Sequence, residues 1–219
     1  MYPVNDLRGI EQQEQQIEGQ HVVILLFVKP SDNNADEILN KLNYWHHLSG
    51  DYCSIYMVGY SLGFCGQYKD VEAVKGIDNQ EWEYSDTCFI DVCRALKRRL
   101  KHWHYSGEPE MIILRNNMSP RARNPLDFRC YNYIDINYGI ENKYIDTFPR
   151  FMERFINACE SEVTAQDAVR SAYFRKYNVR RIMEKALDNA KRIPKPVKQI
   201  MKDALFFKTY KGVSLRESA

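Results

Sequence analysis

The stretch that most constrains this chain is His21-Val-Val-Ile-Leu-Leu-Phe-Val28. After His21 it offers no polar residue and no alternation. A strand with one wet face would read apolar-polar-apolar, whereas this one needs cover on both faces, as at the centre of a parallel sheet. It is also far shorter than the roughly 20 residues of a membrane helix. The residues after it have to supply that cover. Lys29-Pro-Ser-Asp-Asn-Asn34 reads as a turn rich in helix-capping residues. Ile38, Leu39, Leu42 and Trp45 then recur at helical spacing over residues 35–48, with Gly50 as a C-cap. Residues 52–60, rich in β-prone side chains, form a second strand.

Beyond it, residues 61–84 show no clean period and read as a long ordered loop, of the kind that often carries function. Ser85 or Asp86 caps the clearest helix. Its stripe is Phe89, Val92, Cys93, Leu96, Leu100 and Trp103, and Lys97, Arg98, Arg99 and Lys101 lie on the other sides. Residues 110–115 make a third strand. A polar loop over 116–127 separates it from an alternating strand at 128–138. A helix from Asp146 or Thr147 carries Phe148, Phe151, Met152, Phe155, Ile156 and Cys159 on its core face. Thr164-x-x-Asp167 is a capping box that opens a helix to about residue 191. Pro194 and Pro196 break it before a last helix over about 196–209. Residues 9–20 are polar and low in complexity, as a frayed helix or a disordered stretch would be.

The order β-α-β-loop-α-β-β-α, with Pro109 just before the third strand, resembles the thioredoxin-like fold over residues 21–160. That resemblance implies an α/β three-layer sandwich of β-α-β-α-β-β-α order with a C-terminal helical extension. It also implies a cis-proline at Pro109 and a ligand or peptide site beside the loop before it. The family's redox motif belongs at the start of the first helix. Here Ser31-Asp-Asn-Asn-Ala-Asp36 stands there without a cysteine, so thiol redox chemistry is not expected. A Rossmann-like or flavodoxin-like sheet is the main rival, and would need parallel strands near 110 and 130. The roughly 12 loop-like residues between them favour a hairpin. The division expected is a polar N-terminal arm over 1–20, the α/β body over 21–162 and a basic extension over 163–219.

Net charge divides along the same lines. Residues 163–219 hold 14 Lys and Arg against 5 Asp and Glu, a net of +9. Residues 1–162 hold 17 against 24, a net of −7. A basic extension on an acidic body implies docking on the body itself or on an acidic partner. The N-terminus lacks a basic stretch followed by an apolar one, so a cytoplasmic protein without a secretory signal is expected. Six cysteines without a Cys-x-x-Cys pair read as free, mostly buried thiols.

Several chemistries lack their residues. No phosphate-binding Gly-x-x-x-x-Gly-Lys or Gly-x-Gly-x-x-Gly occurs. Gly59, Gly63 and Gly66 would bring backbone close to a ligand or simply make turns. Asp135 with Glu141 and Lys143 is the nearest approach to a metal-nuclease set, at too short a spacing. No metal and no cofactor is expected.

The candidates that remain are ligand- or partner-binding: His46 and His47, late on the first helix, and His104, Ser106, Glu108 and Pro109 before the third strand. Adjacent helix positions point about 100° apart, so His46 and His47 do not easily share one metal. A basic surface is offered by Arg170, Arg175, Lys176, Arg180, Arg181, Lys191, Arg192, Lys195 and Lys198. Tyr173, Phe174, Tyr177, Phe206, Phe207 and Tyr210 are interleaved with it. Cations with aromatics suit an acidic protein surface or a nucleic acid. The leading expectation is a non-enzymatic interaction module with a protein partner and no membrane. The alternatives are a nucleic-acid-binding accessory protein, and an enzyme whose site joins His47, His104 and Glu108. Tyr44-Trp-His-His-Leu-Ser-Gly50 and Trp103-His-Tyr-Ser-Gly-Glu108 resemble uncharacterised bacterial proteins found beside defence genes, which implies a role in antiviral defence.

Overall fold

The computed structural model describes residues 1–17, 21–50, 52–100, 102–116, 124–143, 145–161 and 208–211. It is an α/β structure built on a mixed sheet. The elements run β1 (Tyr2–Val4), α1 (Leu7–Gln15), β2 (Val22–Phe27), α2 (Ala35–Leu39), α3 (Leu42–Ser49), β3 (Cys53–Val58) and β4 (Tyr60–Ser61). They continue with β5 (Val71–Lys75), β6 (Glu81–Ser85), α4 (Asp86–Arg99), β7 (Glu110–Arg115), β8 (Cys130–Asp135), α5 (Ile136–Glu141), α6 (Phe148–Ser161) and β9 (Lys208–Lys211).

The large sheet has the order β1-β3-β2-β7-β8-β9. All six residues of β2 are buried, as its unbroken apolar run demands. Burying each such side chain contributes about 1.5–3 kcal/mol, so this strand decides where the core lies. On one side β2 pairs in parallel with β3, from Val22 opposite Cys53 to Leu26 opposite Met57. On the other it pairs antiparallel with β7, from Val22 opposite Arg115 to Phe27 opposite Glu110. β7 and β8 are antiparallel, which excludes the rival reading with parallel strands near 110 and 130.

Several expectations are corrected. Within the expected polar arm, residues 1–17 hold two packed elements: β1 joins β3 at the sheet edge, and α1 buries Ile10 and Glu14 beneath an Asp6 N-cap. The helix expected over 35–48 is two, α2 and α3, with Ile38, Leu42 and Trp45 still fully buried. Residues 61–84 are not only loop. They contain a second sheet of order β4-β6-β5, whose centre is Glu81-Trp-Glu-Tyr-Ser85, an alternation with Trp82 and Tyr84 inward. The strand expected to reach Tyr138 stops at Asp135, because the Asp135 carboxylate accepts from the Tyr138 amide and caps α5.

The helices expected over 164–191 and 196–209 lie outside the described residues, apart from Lys208 and Thr209. Those two belong to β9, which pairs antiparallel with β8 at the sheet edge. Residues 208–211 of the expected extension are thus part of the large sheet. Of the cysteines, Cys53, Cys88 and Cys159 are buried thiols, Cys93 is half-buried and Cys65 is exposed.

Gly59 turns the chain from the large sheet into the small one. Its φ is +87°, and a Cβ there would lie 2.8 Å from the Phe89 Cβ and 3.1 Å from its Cα. Gly63, by contrast, has open space around it. Gly59→Ala is expected to cost roughly 2 kcal/mol or more, read as a lower urea midpoint at unchanged slope, with Gly63→Ala near wild type. Equal midpoints for the two variants would contradict this packing.

Candidate functional site

The Glu110 carboxylate sits at the start of β7, opposite Phe27 at the C-terminal end of β2. It is 0 % exposed. An isolated carboxylate there would be prohibitively costly, and the chain around it supplies donors. The Trp103 indole N–H donates to Oε1 at 2.8 Å. The Ser106 hydroxyl, the Ser106 amide and the Tyr133 hydroxyl donate to Oε2 at 2.9, 3.3 and 3.0 Å. These partners come from the loop after α4 and from β8, so the carboxylate ties three segments together. Burial raises its pKa to about 7, with the four hydrogen bonds partly opposing the rise.

Beside this group lies an open cavity of about 260 Å³. Phe89, Ile90 and Cys93 of α4, with Tyr105, supply its apolar floor, and Lys29, Arg94, Lys97 and His104 complete the lining. Helical spacing explains the set: positions 89, 90, 93, 94 and 97 share one side of α4. Tyr105 meets Phe89 edge-on at 4.9 Å between ring centroids, and its hydroxyl is buried without a hydrogen-bond partner among the described residues. Lys29 pairs with Asp86 at 2.9 Å and lies over the Phe89 ring. Arg94 pairs with Asp91 one turn before it. Lys97 forms no ion pair with any described residue. Burial, aided by the charge of Glu110, pushes the Cys93 thiol up to about 12, so at neutral pH it is an apolar wall and not a nucleophile.

The residues expected at the site divide into two groups. His104 lines the cavity, Ser106 is part of the Glu110 cage, and the exposed Glu108 accepts from the Asn137 side-chain amide, which also meets Asn34. Pro109 is buried, and its carbonyl accepts from the Ile136 amide. Among the described residues no peptide bond is cis, so the cis-proline expected at Pro109 is not found. His46 and His47 are elsewhere. They end α3, just before the start of β3, while Glu108 and Glu110 sit at the far end of β2. About 17 Å of strand lies between. His46 instead lies 2.8 Å from the Met1 amine, with burial lowering its pKa, and His47 faces Asp78 at 3.6 Å. The expected convergence of His47, His104 and Glu108 on one ligand is therefore overturned. The basic residues from Arg170 to Lys198 lie outside the described residues.

A second buried polar cluster was not anticipated. Glu14 accepts from the Tyr56 hydroxyl at 2.6 Å and meets His21 Nε2 at 2.8 Å. Ser54 Oγ lies 3.1 Å from the same nitrogen. Asn116 Oδ1 accepts from the His21 amide, which turns its NH₂ toward Nδ1 at 2.8 Å. Nδ1 is then the acceptor and Nε2 carries the proton. A Ser-His-acid catalytic set needs hydroxyl and carboxylate on opposite ring nitrogens. Here both meet Nε2, and the cluster is buried throughout, so it fastens α1 to the sheet. The remaining candidates resolve structurally: Asp135 is a helix cap, and among the described residues no group of acidic, histidine and cysteine side chains has metal-site geometry. No helix among them is long and apolar enough to cross a membrane.

No family model, curated protein or solved structure matches this chain.

Between its unfolded pKa of 4.5 and its folded value of about 7, Glu110 holds more protons in the folded state. Its contribution therefore makes the protein less stable as pH rises through that window, by up to about 3 kcal/mol. Glu110→Gln is expected to remove this slope while lowering stability below pH 7, because its NH₂ has to oppose either the Trp103 indole N–H or the Ser106 amide. Denaturant titrations from pH 4 to 8 give the difference directly, and parallel wild-type and variant curves would refute it.

Proposed function

We propose that this chain is a redox-inactive, thioredoxin-like interaction module that binds a protein partner and carries out no chemistry itself. The strand order supports the fold reading. Parallel β1, β3 and β2 beside an antiparallel β7-β8 pair is the arrangement expected of a thioredoxin-like sheet. The place of the redox motif is filled by a turn in which Asp32 accepts from the Lys29 amide, and by the Asn34–Asn137–Glu108 chain.

The observation that carries the functional reading is the closure of Glu110. The acid best tuned to exchange protons near neutral pH is fully buried and occupied by four donors. Solvent meets instead an apolar cavity with cationic sides and an unreactive thiol. Large side chains and arginine dominate binding energy at protein interfaces. The sequence over 162–207 adds a second candidate: it carries 11 Lys and Arg against 5 Asp and Glu. The two stretches that resemble proteins encoded beside defence genes make an antiviral system the first place to look for the partner.

The test is affinity capture of partners from the native host by the full chain, after nuclease treatment, quantified by mass spectrometry. We expect a discrete acidic protein partner that is depleted when Arg180, Arg181, Lys191 and Arg192 are all changed to Glu. Loss of all captured material on nuclease treatment would support nucleic-acid binding instead. Equal capture by both proteins would remove the role given to the basic stretch.

A further inference from the structure

Resting on that reading, we propose that the cavity along α4 is the docking site for a short acidic peptide segment of a partner protein. One large aliphatic or aromatic side chain seats on Phe89 and Ile90, and flanking carboxylates meet Lys97 and Arg94.

Size, surface and charge each bear on the occupant. A volume of about 260 Å³ is below the roughly 300–1,000 Å³ of pockets that enclose a whole small molecule. It suits a single anchoring side chain with the rest of the ligand lying outside. Ile90 is 42 % exposed on an otherwise charge-rich stretch of helix, an apolar surface that gains by being covered. Its neighbours one and two turns on, at 93, 94 and 97, are a thiol held neutral and two cations.

Among the described residues no acidic side chain lines the cavity. Lys97 has no ion-pair partner among the described residues, and the exposed Arg94–Asp91 pair is of a kind worth only about 0–1 kcal/mol, so Arg94 is cheaply redirected. Lys29 is already engaged by Asp86 and Phe89 and fixes the inner wall.

The sign of the charge also says which occupant is disfavoured. The chain's own 162–207 stretch, with 11 basic against 5 acidic residues, is repelled by a cationic wall. The occupant is therefore a different molecule, and an acidic one. An aliphatic contribution from Ile90 favours a side chain over a stacked base, since base stacking calls for aromatic faces.

The experiment is selection of a random peptide display library on the full-length protein, followed by affinity measurement with the enriched peptides in fluorescently labelled form. We expect a motif of one large apolar residue flanked by Asp or Glu. Its affinity should fall roughly tenfold or more with Lys97→Glu and with Ile90→Ser, and should weaken as salt rises. Both positions are on the helix surface, and circular dichroism of each variant verifies the fold. Ile90→Leu should retain binding. Enrichment of basic or uncharged motifs, acidic motifs bound equally by the variants, or no enrichment would overturn the proposal. Competition by single-stranded oligonucleotide at equal concentration would reassign the cavity to nucleic acid.

The host capture repeated with Lys97→Glu separates this proposal from the reading it rests on. A partner kept by the variant removes the cavity proposal and leaves the interaction module standing. Turnover of a substrate by a protein that still selects acidic peptides would do the reverse.

Discussion

The burial of β2 on both faces is the constraint on which the rest depends. Six residues without a polar side chain require a neighbour on each edge and a layer on each face. The two neighbours are of opposite kinds. The parallel partner β3 requires a crossover, which α2 and α3 provide, with Ile38, Leu42 and Trp45 buried and the Trp45 ring edge-on to Phe148 of α6. The antiparallel partner β7 brings its own hairpin mate, β8, and β8 in turn receives β9 from the C-terminal part of the chain. Each end of β2 is then a place where polar groups have to be accommodated beside a dry core.

The two ends solve that problem differently. At the start of β2, Glu14, His21, Ser54, Tyr56 and Asn116 form a closed set in which the amide of Asn116 selects the histidine tautomer. At the other end Glu110 is held by Trp103, Ser106 and Tyr133, and burial keeps it near the point of ionisation at neutral pH. The first cluster joins α1 to the sheet. The second fixes the loop that leads from α4 to β7, and that loop contributes His104 and Tyr105 to the cavity. Positioning of the cavity lining thus follows from how a single buried carboxylate is satisfied.

Much of this was legible in the residues. The apolar run at 21–28, the stripe from Phe89 to Leu96 and the aromatic face from Phe148 to Ile156 each announced an element and its buried side, because local periodicity reports burial directly. The hairpin of β7 and β8 followed from the short connection. What escaped were features made by residues distant in sequence. Glu110 read as a polar residue opening an apolar strand, and its donors at 103, 106 and 133 share no pattern with it. Lys97 and Lys29 came together only through the fold. Trp82 and Tyr84 alternate with Glu81 and Glu83, a strand signal obscured by the surrounding glycines and charges. The two histidines at 46 and 47 looked like chemistry, yet they sit at the wrong end of the sheet to join His104.

Backbone hydrogen exchange on the full-length protein, resolved to single amides, addresses the organising role of β2 most directly. The slowest amides in the molecule are expected to be those of residues 22–27 and of the β3 and β7 residues bonded to them, with the small sheet of residues 71–75 and 81–85 opening at much lower free energy. Residues 22–27 exchanging as fast as that small sheet would contradict it.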